Sequence, residues 1–240
     1  MRWVIVAVLG FSLAASAGDK KNKPAPGKMV DSGSFGVFVQ GRRVLTEDFR
    51  IEQQNGISAI NAQLKEAASS STVQKSELEI TPAGELIRYD WSQDSGGSLT
   101  VIPDNEFLRE KVTTTAGKTA EQPFLMPNTS MILDNNFFVH REVLVWRYLA
   151  ADCKSEAGDL KCQQGPVEFG VLVPQDRASL RVRVELVGKE KVAIRGAERE
   201  LLRVNLTGEN FAWALWVDAQ DQFKLMRVEI PADNTEVVRD

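Results

Sequence analysis

A two-residue hydrophobic period runs through most of this chain and constrains its fold more than any other feature. In SLRVRVELV (residues 179–187), Leu180, Val182, Val184 and Leu186 fall on one side of an extended chain, and charged residues fall on the other. Successive side chains of a β-strand point to opposite faces of its sheet. The pattern is therefore typical of an antiparallel strand with one buried face.

Short polar turns separate one alternating stretch from the next. Gln40-Gly41-Arg42, Asn55-Gly56, Pro82-Ala83-Gly84 and Ser95-Gly96-Gly97 each lie between two such stretches, and Asn-Gly is a strong hairpin signal. No regular alternation of strands and helices appears, which argues against a parallel sheet. Residues 113–129 are polar and bounded by proline, and we interpret them as a long crossover.

Two segments depart from the alternating pattern. FAWALWV (211–217) is apolar on both faces, so this strand should be covered on both sides. FFVHREVLVWRYL (137–149) follows three N-cap candidates, Asp134, Asn135 and Asn136, and is apolar nearly all round. We expect a helix here, packed against strands such as 211–217.

These patterns predict a mainly β protein. Its core would be a single curved antiparallel sheet, a half-barrel or partly closed barrel, with one principal helix packed in the concave face. A full barrel would remove the sheet edges, whereas a half-barrel would need the helix and the crossover to cover them. No linker-like composition interrupts residues 33–240, which we therefore assign to one domain.

The first seventeen residues, MRWVIVAVLGFSLAASA, have the three parts of a secretory signal. Arg2 supplies the positive charge, an apolar run follows, and Ala15-Ser16-Ala17 is a cleavage site. The alternative, a membrane anchor, is less well supported because the apolar run is too short to span a bilayer. We expect a periplasmic or secreted protein without a permanent membrane anchor, in which residues 18–32 form a flexible basic leader rich in Pro and Gly.

The charge balance argues against nucleic acid as a partner. The full chain has 29 basic and 33 acidic side chains, and Arg2 leaves with the signal. The leader is locally basic, so the body of the protein is more acidic than the whole. Nucleic-acid binding requires clustered lysine and arginine.

The two cysteines, Cys153 and Cys162, predict one disulfide. An even number of cysteines in an exported chain usually forms disulfides, and this bond would close a small polar loop. The alternative is a metal or redox pair. A metal site needs more ligands, and the single histidine elsewhere in the chain is poor support for one, so we predict neither a metal nor another cofactor.

No catalytic motif is recognisable, and the candidate binding residues are Glu47, Trp91, His140, Trp146 and Trp213. The only histidine, His140, could act as a base with a distant carboxylate, but a buried imidazole bonded to backbone is the simpler interpretation. The aromatic residues could line a lipid site or form core.

Glu47 shares a face with apolar neighbours in its strand. A carboxylate there should be paired, with Arg141 or Arg147 as the expected partner. Alternatively, a β-bulge turns the side chain of Glu47 to solvent.

The closing stretch WVDAQDQFKLMRVEIP (216–231) and the segment ILDNNFFVH (132–140) resemble sequences of the LolA/LolB-like half-barrel superfamily. The closing stretch has the spacing W-V-D followed by R-x-E that is common in that superfamily, which includes periplasmic domains of unknown function. The resemblance implies a curved sheet around an apolar cavity that could hold acyl chains. It brings no catalytic residues, and the cysteine loop at 153–162 is not a motif of the lipoprotein carriers.

Three functions remain open on the sequence. The first is an exported binding protein or carrier for an apolar, lipid-like ligand held between sheet and helix. The second is a module with a self-filled core that binds another envelope protein, with the disulfide loop as one candidate surface. The third is an enzyme centred on His140.

The cleavage site gives a direct test of export. We expect the protein recovered from an envelope or secreted fraction to begin at Gly18, because the A-x-A site ends at Ala17. N-terminal sequencing or intact mass measures this. A Met1 start in that fraction would contradict the prediction.

Overall fold

A computed structural model describes residues 27–156 and 159–240 of the chain, so the predicted signal segment 1–17 lies outside the described residues. The first half of the described chain forms nine strands. They are β1 Lys28–Val39, β2 Arg42–Gln54, β3 Ile57–Glu66, β4 Thr72–Ile80, β5 Leu86–Gln93, β6 Ser98–Asp104, β7 Phe107–Thr113, β8 Thr119–Phe124 and β9 Met131–Ile132.

The second half contains the helix and eight further strands. In chain order these are α1 Val139–Asp152, β10 Cys153–Glu156, β11 Asp159–Cys162, β12 Val167–Val173, β13 Ala178–Ile194, β14 Ala197–Thr207, β15 Ala212–Asp218, β16 Lys224–Ile230 and β17 Thr235–Arg239. Two short 3₁₀ turns, Pro174–Asp176 and Pro231–Asp233, each connect consecutive strands.

Fifteen of these strands form one sheet, in the order β8-β7-β6-β5-β4-β3-β2-β1-β17-β16-β15-β14-β13-β12-β9. The pairs are antiparallel except for the short parallel contact between β9 and β12. The predicted class, a large curved antiparallel sheet with one helix, is confirmed, and the sheet does not close into a barrel. A backbone hydrogen bond from Leu86 N–H to the Asn128 carbonyl, 2.7 Å long, nonetheless links β5 to the segment before β9.

The turn residues explain why neighbouring strands pair in chain order. Asn55 and Gly56 both have positive φ, 51° and 81°, as a type I′ hairpin turn requires. A bulge between Leu186 and Gly188 interrupts the β13–β14 ladder, and Gly188 has φ 144°, which a side chain rarely permits. The bulge lets this long hairpin bend along its length.

The helix α1 lies in the concave face and belongs to the same apolar core as the inward side chains of the sheet. It begins two residues later and ends three residues later than predicted. Its first seven residues, Val139–Val145, are all buried, in agreement with the nearly continuous apolar pattern.

A second, smaller core lies on the outer face of the sheet and explains why the strand at 211–217 is apolar on both sides. Trp216 of β15 is 4% exposed and packs there with side chains from the neighbouring strands. Its indole N–H donates to Glu190 at 2.8 Å, while the guanidinium groups of Arg203 and Arg227 lie over its ring. The inner side chains of β15, such as Leu215, join the main core.

The structure corrects two predicted boundaries. Residues 28–32, assigned to the flexible leader, form the start of β1 because they pair with β2 and because Asp31 bonds to Arg239. Residues 119–124, assigned to a crossover, form the edge strand β8, which pairs with β7. Pro123 has no backbone N–H donor, and Glu121 places a charge on this edge. Both features discourage pairing with another chain.

No helix within the described residues has both the length and the apolar character that a membrane crossing needs.

The predicted disulfide between Cys153 and Cys162 is present and closes the two-stranded hairpin β10–β11, which is separate from the main sheet.

We therefore expect the disulfide to stabilise this hairpin more than the domain. In a Cys153→Ser, Cys162→Ser variant, hairpin amides should exchange at least about tenfold faster, while the thermal midpoint falls by less than about 5 °C, because the bond closes only a short loop. Hydrogen exchange and calorimetry measure the two effects. Reduction of the unaltered protein is the matched control, and collapse of the whole unfolding transition would contradict the expectation.

Candidate functional site

The N-terminus of α1 is held by a carboxylate from another part of the chain. Glu47 on β2 is fully buried, and its two oxygens accept hydrogen bonds from the backbone N–H groups of Phe138 (2.6 Å) and Val139 (3.0 Å). The first N–H groups of a helix have no partner within the helix and need acceptors from elsewhere. Glu47 therefore caps α1 from the sheet.

This geometry resolves the two alternatives for Glu47. The side chain faces the core and not solvent, as the alternation of β2 indicates. Its direct partners are backbone N–H groups, whereas Arg141 acts on it through the electric field. Burial raises the pKa of Glu47 to about 8, and the hydrogen bonds from Val139 and Phe138 offset part of that rise.

Arg141 is a fully buried cation beside this cap. Its Nη1 donates to the carbonyls of Asp134 and Phe137, and its guanidinium lies 5.0 Å from the ring centre of Phe138 and 4.8 Å from that of Trp213. Burial lowers the pKa of Arg141 to about 10, so it remains charged at neutral pH. Aromatic faces and carbonyl oxygens thus replace water around the charge.

A second polar cluster precedes the helix. Asp134 is fully buried and accepts hydrogen bonds from the Tyr89 hydroxyl, from the Gln175 amide and from the backbone N–H of Asn136 at 2.7 Å. Burial raises the pKa of Asp134, and these bonds offset part of the rise. The cluster joins β5, the segment before α1 and the turn after β12.

His140 belongs to this cluster through its ring. Its Nδ1 accepts the Asp134 backbone N–H at 3.4 Å, and the ring packs edge-on against Tyr89. Burial lowers the pKa of His140 to about 3, so the imidazole is neutral under physiological conditions. The ring is 0% exposed, which leaves no path for a substrate in this conformation.

Glu142 ties the other side of the helix to the sheet. One of its oxygens accepts the Leu225 backbone N–H at 2.8 Å and contacts Arg239 at 3.3 Å. Arg239 also binds both carboxylate oxygens of Asp31, at 2.7 and 2.8 Å, and Lys224 lies 3.6 Å from Asp31. Burial raises the pKa of Glu142 well above its ordinary value, and nearby Asp31 raises it further.

The five predicted binding residues do not form one site. Glu47, His140 and Trp213 lie around the start of α1. Trp91 instead donates to Gln74 at 3.2 Å, and Trp146 donates to the Phe223 carbonyl at 3.0 Å. The Trp146 bond attaches the helix to the turn before β16, whereas the Trp91 bond joins the neighbouring strands β5 and β4.

The space between helix and sheet is filled. Tyr89, Phe137, Val139 and Leu144 from the two sides of the interface, together with His140, are at most 1% exposed. A chamber that could hold an acyl chain would leave water-accessible surface on such side chains. This conformation leaves almost none.

A cavity of about 730 Å³ instead lies on the outer face of β2–β6. Its outward-facing lining combines carboxylates, cations, amides and hydroxyls: Asp48, Arg50, Asn61, Gln63, Lys75, Glu77, Asp90, Ser92, Ser98 and Thr100. We call this cavity the outer groove. Several of its groups are already paired, such as Asp48 with Lys65 and Asp90 with Thr100.

Sequence reasoning missed several of the buried charges. Glu110 lies between Leu108 and Val112 on the inner face of β7, so the argument that identified Glu47 could have found it. Asp31 was missed because its segment was assigned to the leader. Asp134 was predicted only as an N-cap candidate, together with Asn135 and Asn136, but the N-cap is Phe138 and none of the three caps the helix with its side chain. Glu142 carried no signal, since acidic residues are common at helix starts.

The described segments contain no group of three or more histidine, cysteine, aspartate or glutamate side chains placed to hold a metal ion. Glu47, Arg141 and Glu142 contact the protein's own backbone and side chains, and these contacts fix α1 in the sheet.

No protein-family model and no curated protein matches this chain. Among solved structures, its fold is similar to a crystal structure titled as a beta-barrel-like protein of domain of unknown function DUF1849 from Brucella abortus. The TM-score is 0.51 at 7% identity, covering 90% of this chain and 97% of that chain. This likeness supports a barrel-like domain of unknown function and does not single out the LolA/LolB-like superfamily.

The Glu47 cap should give stability a distinctive pH dependence. A carboxyl whose pKa rises from 4.5 to about 8 on folding contributes stability that is complete below pH 4.5 and is lost as pH rises through 8. We expect the thermal midpoint of the unaltered protein to fall between pH 6 and pH 9. In Glu47→Gln this part of the dependence should be absent.

At pH 6, Glu47→Gln should cost about 1–3 kcal/mol, because an amide N–H₂ replaces one acceptor of the helix N–H groups. Thermal and denaturant unfolding across pH measure both effects. Exposed Glu106→Gln is the control and should follow the unaltered protein. Parallel pH profiles for Glu47→Gln and the unaltered protein would contradict the cap's role.

Proposed function

We propose that this protein is an exported, non-catalytic binding module with a self-filled core, which recognises a polar partner through the outer groove. One contrast carries the proposal: the helix–sheet interface is filled, whereas a cavity of about 730 Å³ lies open on the opposite face. That volume falls in the range of ligand-binding clefts. Export rests on the predicted signal at residues 1–17.

The chemistry of the outer groove favours an extended polar partner. Its lining contains both carboxylates and cations, with Lys75 and Glu77 exposed on β4 and Arg50 exposed on β2. The amides of Asn61 and Gln63 add donors and acceptors between them. A peptide strand, which carries both donors and acceptors along its length, matches such a surface better than an acyl chain does.

The environment of His140 supports a role without catalysis. Its ring is fully buried and neutral, and its Nδ1 is occupied by a backbone N–H. A general base must come within hydrogen-bond distance of its substrate's proton. That would require α1 to leave the sheet.

An apolar-ligand carrier is the second candidate, and one observation favours it. Among the described residues, His140 Nε2, Arg141 Nε and Nη2, and Glu142 Oε1 are buried without a hydrogen-bond partner. Burying such atoms without a partner costs free energy, which disfavours the docked position of the helix. If α1 is released, the apolar inner face of the sheet becomes available to a lipid.

Photo-cross-linking distinguishes the two candidates. With a photoreactive residue at Ser92 in the outer groove, we expect adducts with an envelope partner, and Asn61→Trp, which fills the groove, should reduce them on the order of tenfold. The control position is Lys191, which is exposed on β13, away from the groove. Equal adducts at both positions, or no effect of Asn61→Trp, would contradict the proposal.

The carrier is tested on the same preparations. Mass spectrometry of gently purified protein and uptake of a fluorescent fatty acid report a lipid in the core. Bound lipid together with groove-independent adducts would establish the carrier instead. Loss of adducts when residues 153–162 are replaced by a short turn would place the partner on the disulfide hairpin.

A further inference from the structure

Strands β6, β7 and β8 form one end of the sheet and join the rest through a short ladder. Four residue pairs connect β5 to β6, whereas ten connect β2 to β3 and eleven connect β13 to β14. Their inward side chains, including Val101, Leu108 and Phe124, belong to the main core. We call β6–β8 the flap.

A turn from the opposite end of the sheet lies against the flap. The 3₁₀ turn Pro174–Asp176 is fixed in place because Gln175 donates to Tyr89 (3.1 Å) and Asp134, and Asn135 donates to Asp176 at 2.6 Å. The next residue, Arg177, contacts the flap through Glu110, with 3.4 Å between Nε and Oε2. The turn is therefore a fixed support, and Arg177 links it to β7.

Glu110 is unusual among the flap's inward side chains. It is 0% exposed, and within the described chain neither of its oxygens has a hydrogen-bond partner. Arg177 is the cation that faces it, but that side chain is 44% exposed and its charge is partly screened by solvent. An ionised Glu110 would therefore be poorly compensated in the closed flap.

Glu110 is the ionisable side chain of the flap at this contact, because its neighbours in the ladder do not ionise. On either side of it in the ladder lie apolar Val101 of β6 and neutral Gln122 of β8. Tyr89 of β5 is the next inward polar residue in the same row and is bonded to Asp134. From the turn, Arg177 provides the facing charge.

We propose that the flap is a pH-controlled gate: it stays closed over the core while Glu110 is neutral and lifts when Glu110 ionises and takes up water. Burial raises the pKa of Glu110 to about 7, and Arg177 only partly offsets this. In a lifted flap the carboxyl is hydrated and regains its ordinary pKa. Opening therefore becomes more favourable as pH rises above about 5.

The gate goes beyond the proposed binding function. Lifting exposes the inner face of the flap and the support turn, and it also moves Ser98 and Thr100 of β6, which line one side of the outer groove. Apolar surface would appear in neutral or mildly basic surroundings and be covered in acidic ones.

Hydrogen exchange measured by mass spectrometry across pH tests this gate. With a carboxyl pKa of about 7 closed and 4.5 open, we expect protection factors of residues 98–124 to fall about tenfold between pH 6 and pH 8. Protection factors remove the intrinsic pH dependence of exchange. In Glu110→Gln they should stay constant over this range.

A second variant tests the sign of the effect. Arg177→Gln removes the charge that favours ionised Glu110 in the closed state, so its flap should open more than that of the unaltered protein at pH 8. Glu47→Gln is the matched control: it removes a different buried carboxylate, at the helix, and should keep the pH response of the flap.

The outcomes separate clearly. A pH response of residues 98–124 that persists in Glu47→Gln, is abolished by Glu110→Gln and is enhanced by Arg177→Gln supports the gate. The same response in Glu110→Gln, or its loss in Glu47→Gln, overturns the gate, because the response would then come from the cap of α1. If Glu110→Gln fails to fold, the Arg177→Gln result alone decides, since a flap as closed as in the unaltered protein contradicts the proposal.

Discussion

The contact between the Glu47 carboxyl group and the first N–H groups of α1 is the interaction on which the interior depends. A curved sheet this large needs something in its concave face, and a helix brings unpaired N–H groups with it. Glu47 on β2, which is far from the helix in sequence, accepts hydrogen bonds from two of these N–H groups. Arg141, Asp134 and Glu142 then complete the attachment with backbone and side-chain bonds.

The contacts that attach α1 to the sheet are polar, although apolar side chains could fill the same buried positions. Buried charges contribute little net stability because they lose hydration, but removing one partner leaves the other uncompensated. Such a network fixes one position of the helix more than it strengthens the fold. It also leaves unpartnered atoms on α1, so the interior combines tight packing with a helix that is costly to keep docked.

The outer surface has a different character. The groove over β2–β6 offers paired and unpaired polar groups on a rigid sheet, where side chains are held by strand geometry. The flap at the end of the same sheet adds a carboxyl, Glu110, whose ionisation conflicts with its burial. The proposed binding in the outer groove and the proposed opening of the flap thus involve one continuous sheet.

The sequence by itself determined most of the strands, the helix and the disulfide. The strands follow from the alternation of apolar residues, the helix from the length of its apolar run, and the disulfide from two cysteines in a chain predicted to be exported. The sequence also indicated that Glu47 faces the core, from its position beside Phe49 and Ile51. Only the tertiary structure decided what Glu47 contacts, that Asp31 joins Arg239, and that Glu110 faces Arg177. Those partners come from distant strands, and the distance between them depends on the curvature and closure of the whole sheet, which no local pattern encodes.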